Sequence, residues 1–407
     1  MSSALEGIRV VEFAAWQQGP EVGAMLGDLG AEVIKVERPP SGDFARWISD
    51  LSSQLMSGAE SDVNYYFEIH NRNKKGIAVQ AQKDRGREII WKLVQKADVF
   101  VTNFRPQGLE GLRLDYDSLS QVNPRLIYGL GSAYGLKGVE NNREGFDSVA
   151  QARSGIMALV GAEPGSAPRH IGLGNADQLG AIMLTYAIMT ALFVRERTGV
   201  GQLVSSSILG SLISLQSHML QAHLVTGQQP RDIPRTENRN PFWNIYRTID
   251  DRWLCLTMPR SEEHWHNCCL AFNMEESEND PRFDTHEKRM ENAKALISVL
   301  DQRFITKPLA EWVKRVEGTG IILAPVNEYA DVAYDQQAWD NEYILEDTHP
   351  ILGRMRVLGS PVYLSRTPAK RQCWAPELGQ HTEEVLTEIC GYSWDEVATL
   401  KDEGVIM

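Results

Sequence analysis

The sequence predicts an α/β fold: a large Rossmann-like domain with a mostly parallel sheet, and a smaller α+β domain. Short apolar segments rich in β-branched residues, typical of strands buried on both faces, alternate with segments of helical apolar spacing. From Asn240 this alternation gives way to a hairpin pattern and then to charged helical segments. We therefore expect a large domain over 1–226, a small domain over 227–330, and a segment over 331–407 that returns to the large domain.

The first unit is a strand, a tight turn, a helix and a second strand. Ile8–Phe13 and Val33–Val36 have the composition of buried strands, and Pro20 suits the first turn of a helix that continues to Leu29. The same alternation predicts strands over 76–79, 99–102 and 126–129, with a helix over 86–96. This order favours parallel strands covered by helices.

The later elements change in character. An apolar helix over 176–195 ends in basic residues followed by Gly199, and a second helix is expected over 205–226. After a linker over 227–234, we expect a hairpin that turns at Asp250-Asp251, charged helices over 262–318, short strands from Gly353 and a final helix over 383–388.

Composition sets limits on the function. The 407 residues are 43% hydrophobic and 23% charged, as in an ordinary globular protein. The net charge of −13 argues against nucleic-acid and membrane-surface roles. The N-terminal residues lack the pattern of a signal peptide, no apolar run is long enough to span a bilayer, and the five cysteines contain no CxxC pair. We expect a cytoplasmic protein with reduced thiols.

The turn after the first strand raises the possibility of a nicotinamide dinucleotide site. Glu37 closes the second strand where a ribose-binding acid would stand. However, Trp16, Gln17 and Gln18 occupy the turn in place of the glycines that let a pyrophosphate approach closely, and Arg38 suits a phosphate better than a free hydroxyl. The residues thus disfavour a nicotinamide site without excluding another nucleotide ligand.

Asp177, at the start of the long apolar helix, is the leading candidate for chemistry. An aspartate at a helix start often serves as an N-cap. The same carboxylate, among glycines that let a ligand approach, also suits a nucleophile. Both roles remain open from the residues alone.

Basic residues near the predicted strand ends are candidates for binding phosphate groups. Arg72 and Lys75 precede the third predicted strand, and Arg105 follows the next one. The full set is Arg38, Arg46, Arg72, Lys74, Lys75 and Arg105. Their positions suggest a ligand rich in phosphate at one end of the sheet, although such residues are also common on solvated surfaces.

His264, His266, Cys268 and Cys269 resemble a metal-binding cluster at first sight. Helical spacing would bring only His264 and Cys268 to one face, which is too few ligands for a structural metal. We therefore predict no metal, and no serine elbow of the form Gly-x-Ser-x-Gly is present.

Motifs along nearly the whole chain resemble those of class III CoA-transferases, the family of formyl-CoA transferase and carnitine CoA-transferase. They are Val11-Glu-Phe, Gln17-x-Gly-Pro20, Leu29-Gly-Ala-Glu-Val-Ile-Lys-Val-Glu-Arg-Pro39, Asn71-x-Asn-Lys-Lys75, Asn103-Phe-Arg-Pro106, Phe146-Asp147, Asp177, Arg195-x-Arg-Thr-Gly-x-Gly-Gln202, Ala324-Pro-Val-Asn327 and Ala375-Pro-x-Leu-Gly-Gln-His-Thr382. Many motifs in one order make coincidence implausible. The resemblance implies transfer of CoA from an acyl-CoA thioester, with succinyl-CoA as one candidate donor, to a carboxylic acid.

The resemblance also implies roles for individual residues. Asp177 would be the covalent nucleophile, and its reference pKa of about 3.9 would leave it ionised at neutral pH without a general base. Gln17 would lie beside it at the thioester, and backbone N–H groups at the helix start would stabilise oxyanions. The remaining expected CoA contacts are Gln18, Arg38, Arg72, Lys75, Asn103, Phe104 and Arg105. An interlocked homodimer is implied, and a partner chain would cover the segment 39–65; a heteromer with a homologous subunit is the alternative.

Some positions depart from the family pattern. Relatives often have an arginine where Gly111 stands, and here Arg113 follows two places later. The segment 239–244 replaces a glycine-rich flap, which suggests a larger acid. Trp16, Phe242 and Trp243 hint at an aromatic or extended acid, and Arg143 or Arg239 at a second carboxylate. Packing or surface roles for these residues are the alternative.

Two other functions remain as alternatives. The related 2-methylacyl-CoA racemases have a histidine base where this chain has Phe146, which disfavours racemisation. A non-catalytic subunit of a hetero-oligomeric transferase is the second alternative, and the presence of Asp177 and Gln17 weakens it.

Overall fold

The computed structural model describes residues 3–48, 64–160, 167–230 and 233–407. They form two compact units. The larger contains the described residues of Met1–Gly161, Pro168–Pro230 and Trp339–Met407, and the smaller those of Ala162–Ala167 and Arg231–Ala338. Each unit encloses apolar clusters of its own. The C-terminal segment is thus part of the larger unit.

A six-stranded parallel sheet forms the centre of the larger unit. Its strands lie in the order β3-β2-β1-β4-β5-β6, so the order reverses between β1 and β4. The strands are β1 (Arg9–Phe13), β2 (Glu32–Glu37), β3 (Lys74–Ala78), β4 (Val99–Thr102), β5 (Ile127–Ser132) and β6 (Gln202–Ser207). The predicted α/β class is confirmed, and the strand order is that of a Rossmann fold.

Helices cover the sheet between these strands. They are α1 (Gln18–Asp28), α2 (Tyr65–Asn71), α3 (Asp84–Gln95), α4 (Pro106–Leu112), α5 (Tyr116–Val122), α6 (Asp147–Ser154), α7 (Ile156–Leu159), α8 (Asn175–Thr198), α9 (Ile208–Leu215) and α10 (Ser217–Thr226). A 3-10 turn, Phe44–Trp47, lies before α2.

The single helix predicted over 205–226 is wrong. Its first residues belong to β6, which pairs with β5, and the rest divides into α9 and α10 at Gln216. The serines of β6 are weak helix formers, and the side chain of Ser207 accepts a hydrogen bond from the backbone N–H of Gly210, so that the helix begins only after it.

Helix α8 carries Asp177 and packs one face against the sheet. Ala181, Leu184 and Ile188 are fully buried there. Gly129 of β5 permits this close approach, because a Cβ at that position would lie 2.7 Å from Cδ1 of Ile188. The length and apolar composition of α8 would also suit a membrane span, but core helices share these properties.

The smaller unit combines a three-stranded antiparallel sheet with short helices. The predicted hairpin is confirmed: β7 (Trp243–Arg247) and β8 (Trp253–Thr257) flank a turn in which Asp251 has a φ of 58°. The remaining elements are α11 (Trp265–Ala271), α12 (His286–Glu291), α13 (Ala293–Phe304), α14 (Leu309–Val316), β9 (Leu323–Pro325) and α15 (Tyr329–Val332).

The C-terminal segment begins near α16 (Gln336–Asp340) and adds a separate hairpin to the larger unit. Its strands are β10 (Ile344–His349) and β11 (Gly353–Leu358), followed by α17 (Thr382–Glu384), a π-helical turn over Val385–Ile389 and α18 (Trp394–Asp402). Sequence reasoning missed α18, although Ser393 and Glu396 form a capping box at its start.

Buried charges connect β1, β2 and β3. Lys35 is fully buried, and its Nζ lies 3.0 Å from Oε1 of Glu12 and 2.9 Å from Oδ2 of Asp43. Burial alone would lower the pKa of Lys35, but the two carboxylates outweigh it and raise the pKa. Lys74 contacts Oε2 of Glu12 at 2.7 Å, and burial lowers its pKa to about 8. Glu12 is therefore shared by two lysines.

Replacing Lys35 with methionine should destabilise the larger unit strongly. The change leaves Asp43 and part of Glu12 as buried carboxylates without their cation, a situation that typically costs about 3–5 kcal/mol. Lys75→Met is the matched control: Lys75 pairs with Glu32 and Glu384 near the surface, and we expect a loss below about 1 kcal/mol. Calorimetric unfolding of both variants tests this prediction. An equal loss of unfolding free energy in the two variants would contradict the role of Lys35 in stabilising the larger unit.

Candidate functional site

The turn after β1 lies at the point where the strand order of the sheet reverses. Open α/β sheets commonly bind ligands there, beyond the carboxyl ends of the strands. Trp16 has a φ of 70°, a left-handed conformation that is unusual for a bulky residue. Its backbone N–H donates to Oδ1 of Asp43 at 3.0 Å. The side chain of Asn103, just after β4, accepts from the N–H of Ala15 at 3.0 Å and donates to its carbonyl at 2.7 Å. Asp43 and Asn103 thus fix the turn.

Two adjoining cavities open beside this turn. The outer cavity, of about 480 Å³, extends along the ends of β2 and β3, and the inner cavity, of about 320 Å³, reaches Asp177. Ala15, Phe44, Phe104 and Arg105 line both cavities. The pair therefore offers room for a long ligand that passes from the sheet end to the carboxylate.

The outer cavity contains two of the predicted cations. Arg38 and Arg105 line it, and neither forms an ion pair with any residue that the structure describes. Phe104 lines the same cavity, is 37% exposed and meets the ring of Phe13 in an edge-to-face contact. Sequence reasoning missed Gln82 and Gln107, which also line the outer cavity. Gln82 lies beyond the carboxyl end of β3, and this position could have identified it as a cavity residue from the sequence.

Glu37 and its neighbours argue further against a nicotinamide site. Its carboxylate accepts hydrogen bonds from Arg46, at 2.8 and 2.7 Å, and from the backbone N–H of Asp43 at 2.9 Å. A ribose-binding acid needs a carboxylate with free acceptor capacity. Glu37 serves instead to order the segment that carries Asp43.

Asp177 lines the inner cavity but does not cap its helix. The N-cap of α8 is Gly174, with a φ of 76°. The carboxylate of Asp147, on α6, accepts hydrogen bonds from the backbone N–H groups of Ala176, at 2.8 Å, and of Asp177, at 3.2 Å. The N-cap interpretation of Asp177 is wrong, because a second aspartate supplies the cap. Those two N–H groups are therefore engaged by Asp147 in the unliganded protein.

The environment of Asp177 changes its acidity. Burial, and secondarily the negative charge of Asp147, raise the pKa of Asp177 to about 7. No side chain among the described residues donates a hydrogen bond to its carboxylate. A pKa near neutrality places both the neutral and the ionised form of Asp177 within reach in the unliganded protein, whereas its ordinary value would leave it ionised.

The two glutamines of the turn lie on either side of the start of α8. The Nε2 of Gln17 donates to the carbonyl of Gly174 at 2.8 Å, and Tyr66 donates to its Oε1 at 3.5 Å. Gln18 packs between Gly131 and Gly180, and its buried Nε2 has no hydrogen-bond partner among the described residues. Both side chains line the inner cavity together with Asp177.

Two predicted CoA contacts lie elsewhere in the larger unit. Lys75 is in the first half of β3, and since the strands are parallel it lies near the end opposite to Arg38. It forms ion pairs with Glu32 and Glu384. Arg72 binds Asp28, at 2.6 Å, and Glu21, at 3.3 Å. Neither residue lines the two cavities.

Other candidate substrate contacts divide in the same way. Arg143 lines the inner cavity and forms an ion pair with Glu140, whereas Arg113 ends α4 and lines neither cavity. Phe242 is fully buried in the core of the smaller unit, with its ring 6.0 Å from that of Trp265, and its interpretation as a substrate contact is wrong. Trp243 is 53% exposed on β7. Arg239 is exposed in the same unit.

The suspected His/Cys cluster is part of the smaller unit's structure. Cys268 and Cys269 are buried in its core, and His266 pairs with Glu278 at 2.7 Å. Within the described ranges, no group of three or more His, Cys, Asp or Glu side chains is arranged to hold a metal ion.

Comparison with known proteins identifies the family. The profile of CoA-transferase family III matches residues 5–382. The chain is 31% identical to (R)-2-hydroxy-4-methylpentanoate CoA-transferase of Clostridioides difficile, covering 99% of both chains. It is also 31% identical to succinyl-CoA:glutarate CoA-transferase of Mus musculus, covering 99% of this chain and 90% of that one.

Solved structures agree with this match. A CAIB/BAIF family protein from Brucella suis superimposes with a TM-score of 0.83 and 29% identity, covering 96% of this chain and all of the other. Profile, relatives and fold together show that the chain belongs to CoA-transferase family III, whose members are enzymes that use CoA thioesters as substrates and products.

Proposed function

We propose that this enzyme transfers CoA from an acyl-CoA to a carboxylic acid through covalent intermediates on Asp177. The observation that carries the proposal is the pair of adjoining cavities. It leads from Arg38 and Arg105, which have no ion-pair partner among the described residues, to the carboxylate of Asp177. Guanidinium groups suit the phosphates of CoA, and the partly exposed ring of Phe104 suits its adenine. Asn103 supports the site by holding the turn through Ala15.

The proposed steps need only the acyl-CoA, the acceptor acid and Asp177. The ionised carboxylate of Asp177 attacks the thioester carbonyl, and CoA leaves as a thiolate to give a mixed anhydride. The thiolate attacks the Asp177 carbonyl, releasing the donor acid and leaving an aspartyl-CoA thioester. The acceptor carboxylate attacks that thioester, and the expelled thiolate then attacks the acceptor's acyl carbonyl. The new acyl-CoA departs, and Asp177 is restored.

Gln17 and the aromatic residues of the inner cavity support this chemistry. Nε2 of Gln17 donates to the carbonyl of Gly174, and a small rotation would direct it to a developing oxyanion instead. Trp16 stacks on Phe44, with centroids 5.8 Å apart, and meets the ring of Phe146 edge-on. These rings would limit the access of water to intermediates that hydrolyse readily. They favour an acceptor acid with an apolar body.

Phe146 disfavours racemisation. A racemase needs a second base to exchange the α-proton, and the phenyl ring of Phe146 lines the inner cavity where such a base would act. Incubation of an α-methyl acyl-CoA in deuterated water without acceptor acid should therefore give no deuterium at the α-carbon. Uptake of deuterium would favour the racemase.

Asp177 should be trapped covalently during turnover. When the enzyme is incubated with succinyl-CoA and hydroxylamine, we expect a hydroxamate at Asp177 by peptide mass spectrometry, together with loss of activity. Asp177→Asn should be inactive and unlabelled, since an amide is a poor nucleophile. Asp147→Asn is the matched control and should still be labelled. An unmodified Asp177 would contradict the mechanism.

The activity should depend on pH through Asp177. Only the carboxylate attacks, so kcat/KM should rise through a pKa of about 7 and reach a plateau above it. Asp147→Asn keeps a hydrogen-bond acceptor for the helix but removes the neighbouring negative charge, which favours the ionised form of Asp177. The acid limb of the profile should therefore move to lower pH. A profile that does not change in this variant would contradict the electrostatic role of Asp147.

We also propose that the enzyme is a homodimer. Helix α8 exposes a row of large apolar side chains, Ile182, Tyr186 and Phe193, opposite the face that packs on the sheet. Helix α10 contains no buried residue and exposes Leu224 and Val225. Exposed apolar surface of this extent is typical of an interface with another chain. The segment expected to be covered by a partner, 39–65, lies partly outside the described residues.

Light scattering should give the mass of two chains for the purified protein. Tyr186→Glu would place a charge in the proposed interface and should shift the mass toward one chain. Glu88→Lys, at an exposed position of α3, is the control and should not. A single-chain mass for the purified wild type with full activity would contradict the homodimer, and activity only with a second, homologous chain would favour a heteromer.

A further inference from the structure

Gln178, the residue after Asp177, contacts helix α1. Its Nε2 donates to Oε1 of Glu21 at 3.3 Å, and its Oε1 accepts from Nε2 of Gln17 at 3.5 Å. Gln178 does not line either cavity. Adjacent residues of one helical turn therefore have different tasks: Asp177 faces the inner cavity, and Gln178 attaches the turn to α1.

Glu21 is itself held firmly from α2 and the residue that follows it. It is 3% exposed, and its Oε2 lies 2.9 Å from Nδ1 of His70 and 3.3 Å from the guanidinium of Arg72. Burial would raise the pKa of Glu21, but the hydrogen bond from His70 and the charge of Arg72 outweigh it and lower the pKa to about 2. Glu21 is thus a permanently charged acceptor for Gln178.

The chain of contacts continues to the far end of α1. Arg72 is fixed on its other side by Asp28, with an N–O distance of 2.6 Å. The ring of His70 packs edge-on against Tyr66 at 4.9 Å, and the hydroxyl of Tyr66 reaches Gln17. Side chains of α1, α2 and Arg72 therefore form one chain of contacts that reaches the start of α8 through Gln17 and Gln178.

The direction of the Asp177 carboxylate depends on the backbone of this first turn. No described side chain donates to the carboxylate, so only the placement of the helix start orients it. Three contacts hold that turn: Asp147 binds two N–H groups, Gln17 binds the carbonyl of Gly174, and Glu21 binds Gln178. Because misplacement of a reacting group by about 1 Å can lower a rate about a hundredfold, each contact has kinetic consequences.

We propose that Glu21 and Gln178 form a positioning pair that fixes the first turn of α8, and with it the direction in which Asp177 meets the thioester. The inference rests on the proposed role of Asp177 as nucleophile. Neither residue touches substrate in this proposal, so their effect should be on the rate of the covalent step and not on acyl-CoA binding.

The test compares four variants of the full-length enzyme. Gln178→Met keeps the length of the side chain but removes both hydrogen bonds, and Glu21→Gln removes the charge that Arg72 and His70 hold. The double variant tests whether the two residues act together. Asp28→Asn is the matched control, because it removes the other carboxylate partner of Arg72 on the same helix without touching Gln178. For each variant, kcat, KM for acyl-CoA and the fraction of Asp177 trapped by hydroxylamine are measured.

We expect Gln178→Met and Glu21→Gln each to lower kcat by about tenfold, when the rate is divided by the amount of enzyme whose Asp177 can be trapped. KM for acyl-CoA should stay within about twofold of the wild-type value. The kcat of the double variant should lie within about twofold of that of the slower single variant, because the two residues act as one unit. Asp28→Asn should lower the melting temperature but keep kcat. Trapping is carried to its end point, where it counts every competent enzyme molecule whatever the rate of the covalent step, so that dividing kcat by this amount removes the effect of any unfolded protein.

Three results would overturn the inference. One is an unchanged kcat in Gln178→Met, and another is a loss in Asp28→Asn equal to that in Glu21→Gln, which would indicate a purely structural network. In both cases Asp177 is still trapped in the wild type, so the proposed function survives. The third is absence of the adduct in the wild type, which would overturn the proposed function as well.

Discussion

A lysine enclosed by two carboxylates fixes the turn on which both cavities depend. Asp43 uses one oxygen for Lys35 and the other for the backbone N–H groups of Trp16 and Ala45. The left-handed conformation of Trp16 carries a conformational cost, and such strain persists only where the surroundings over-determine it. The buried ion pair supplies that constraint. The aromatic boundary of the inner cavity, in which Trp16 contacts Phe44 and Phe146, follows from it.

At the start of α8, one aspartate caps the helix and another lines the inner cavity. If Asp177 capped the helix itself, its carboxylate would accept backbone hydrogen bonds, which stabilise the charged form and lower the pKa. Asp147 performs this task from α6, and its own negative charge adds to the effect of burial on Asp177. The Asp177 carboxylate, which we propose as the nucleophile, thereby accepts no hydrogen bond from the described side chains, and its pKa is raised. The two aspartates therefore divide the work: Asp147 caps the helix, and the acidity of Asp177 is set by burial and by the charge of its neighbour.

Much of the fold and part of the site could be predicted from the sequence. Short β-branched runs reveal buried parallel strands, and residues after those strands, such as Arg38 and Arg105, must meet at one edge. Lys75 lies near the opposite edge, because it is at the beginning of its strand. The cap from Asp147 joins residues 30 positions apart, and no local pattern reports such a contact. Likewise Phe242, read as a substrate contact, packs in the core of the smaller unit, which only tertiary structure reveals.

Pairing and burial distinguish the cations that build the larger unit from those that suit a ligand. Lys35, Lys74 and Arg72 are enclosed, and each has a carboxylate partner at 2.6–2.9 Å. Removing such a cation leaves a buried charge uncompensated, so these groups are committed to the fold. Arg38 and Arg105 are exposed, without ion-pair partners among the described residues, in a protein whose net charge is −13. In an acidic protein, cations kept free of the abundant carboxylates retain their full attraction for an anion. A polyanionic ligand such as CoA would therefore meet two available cations in the outer cavity, and in the proposed function its reactive end would lie toward Asp177.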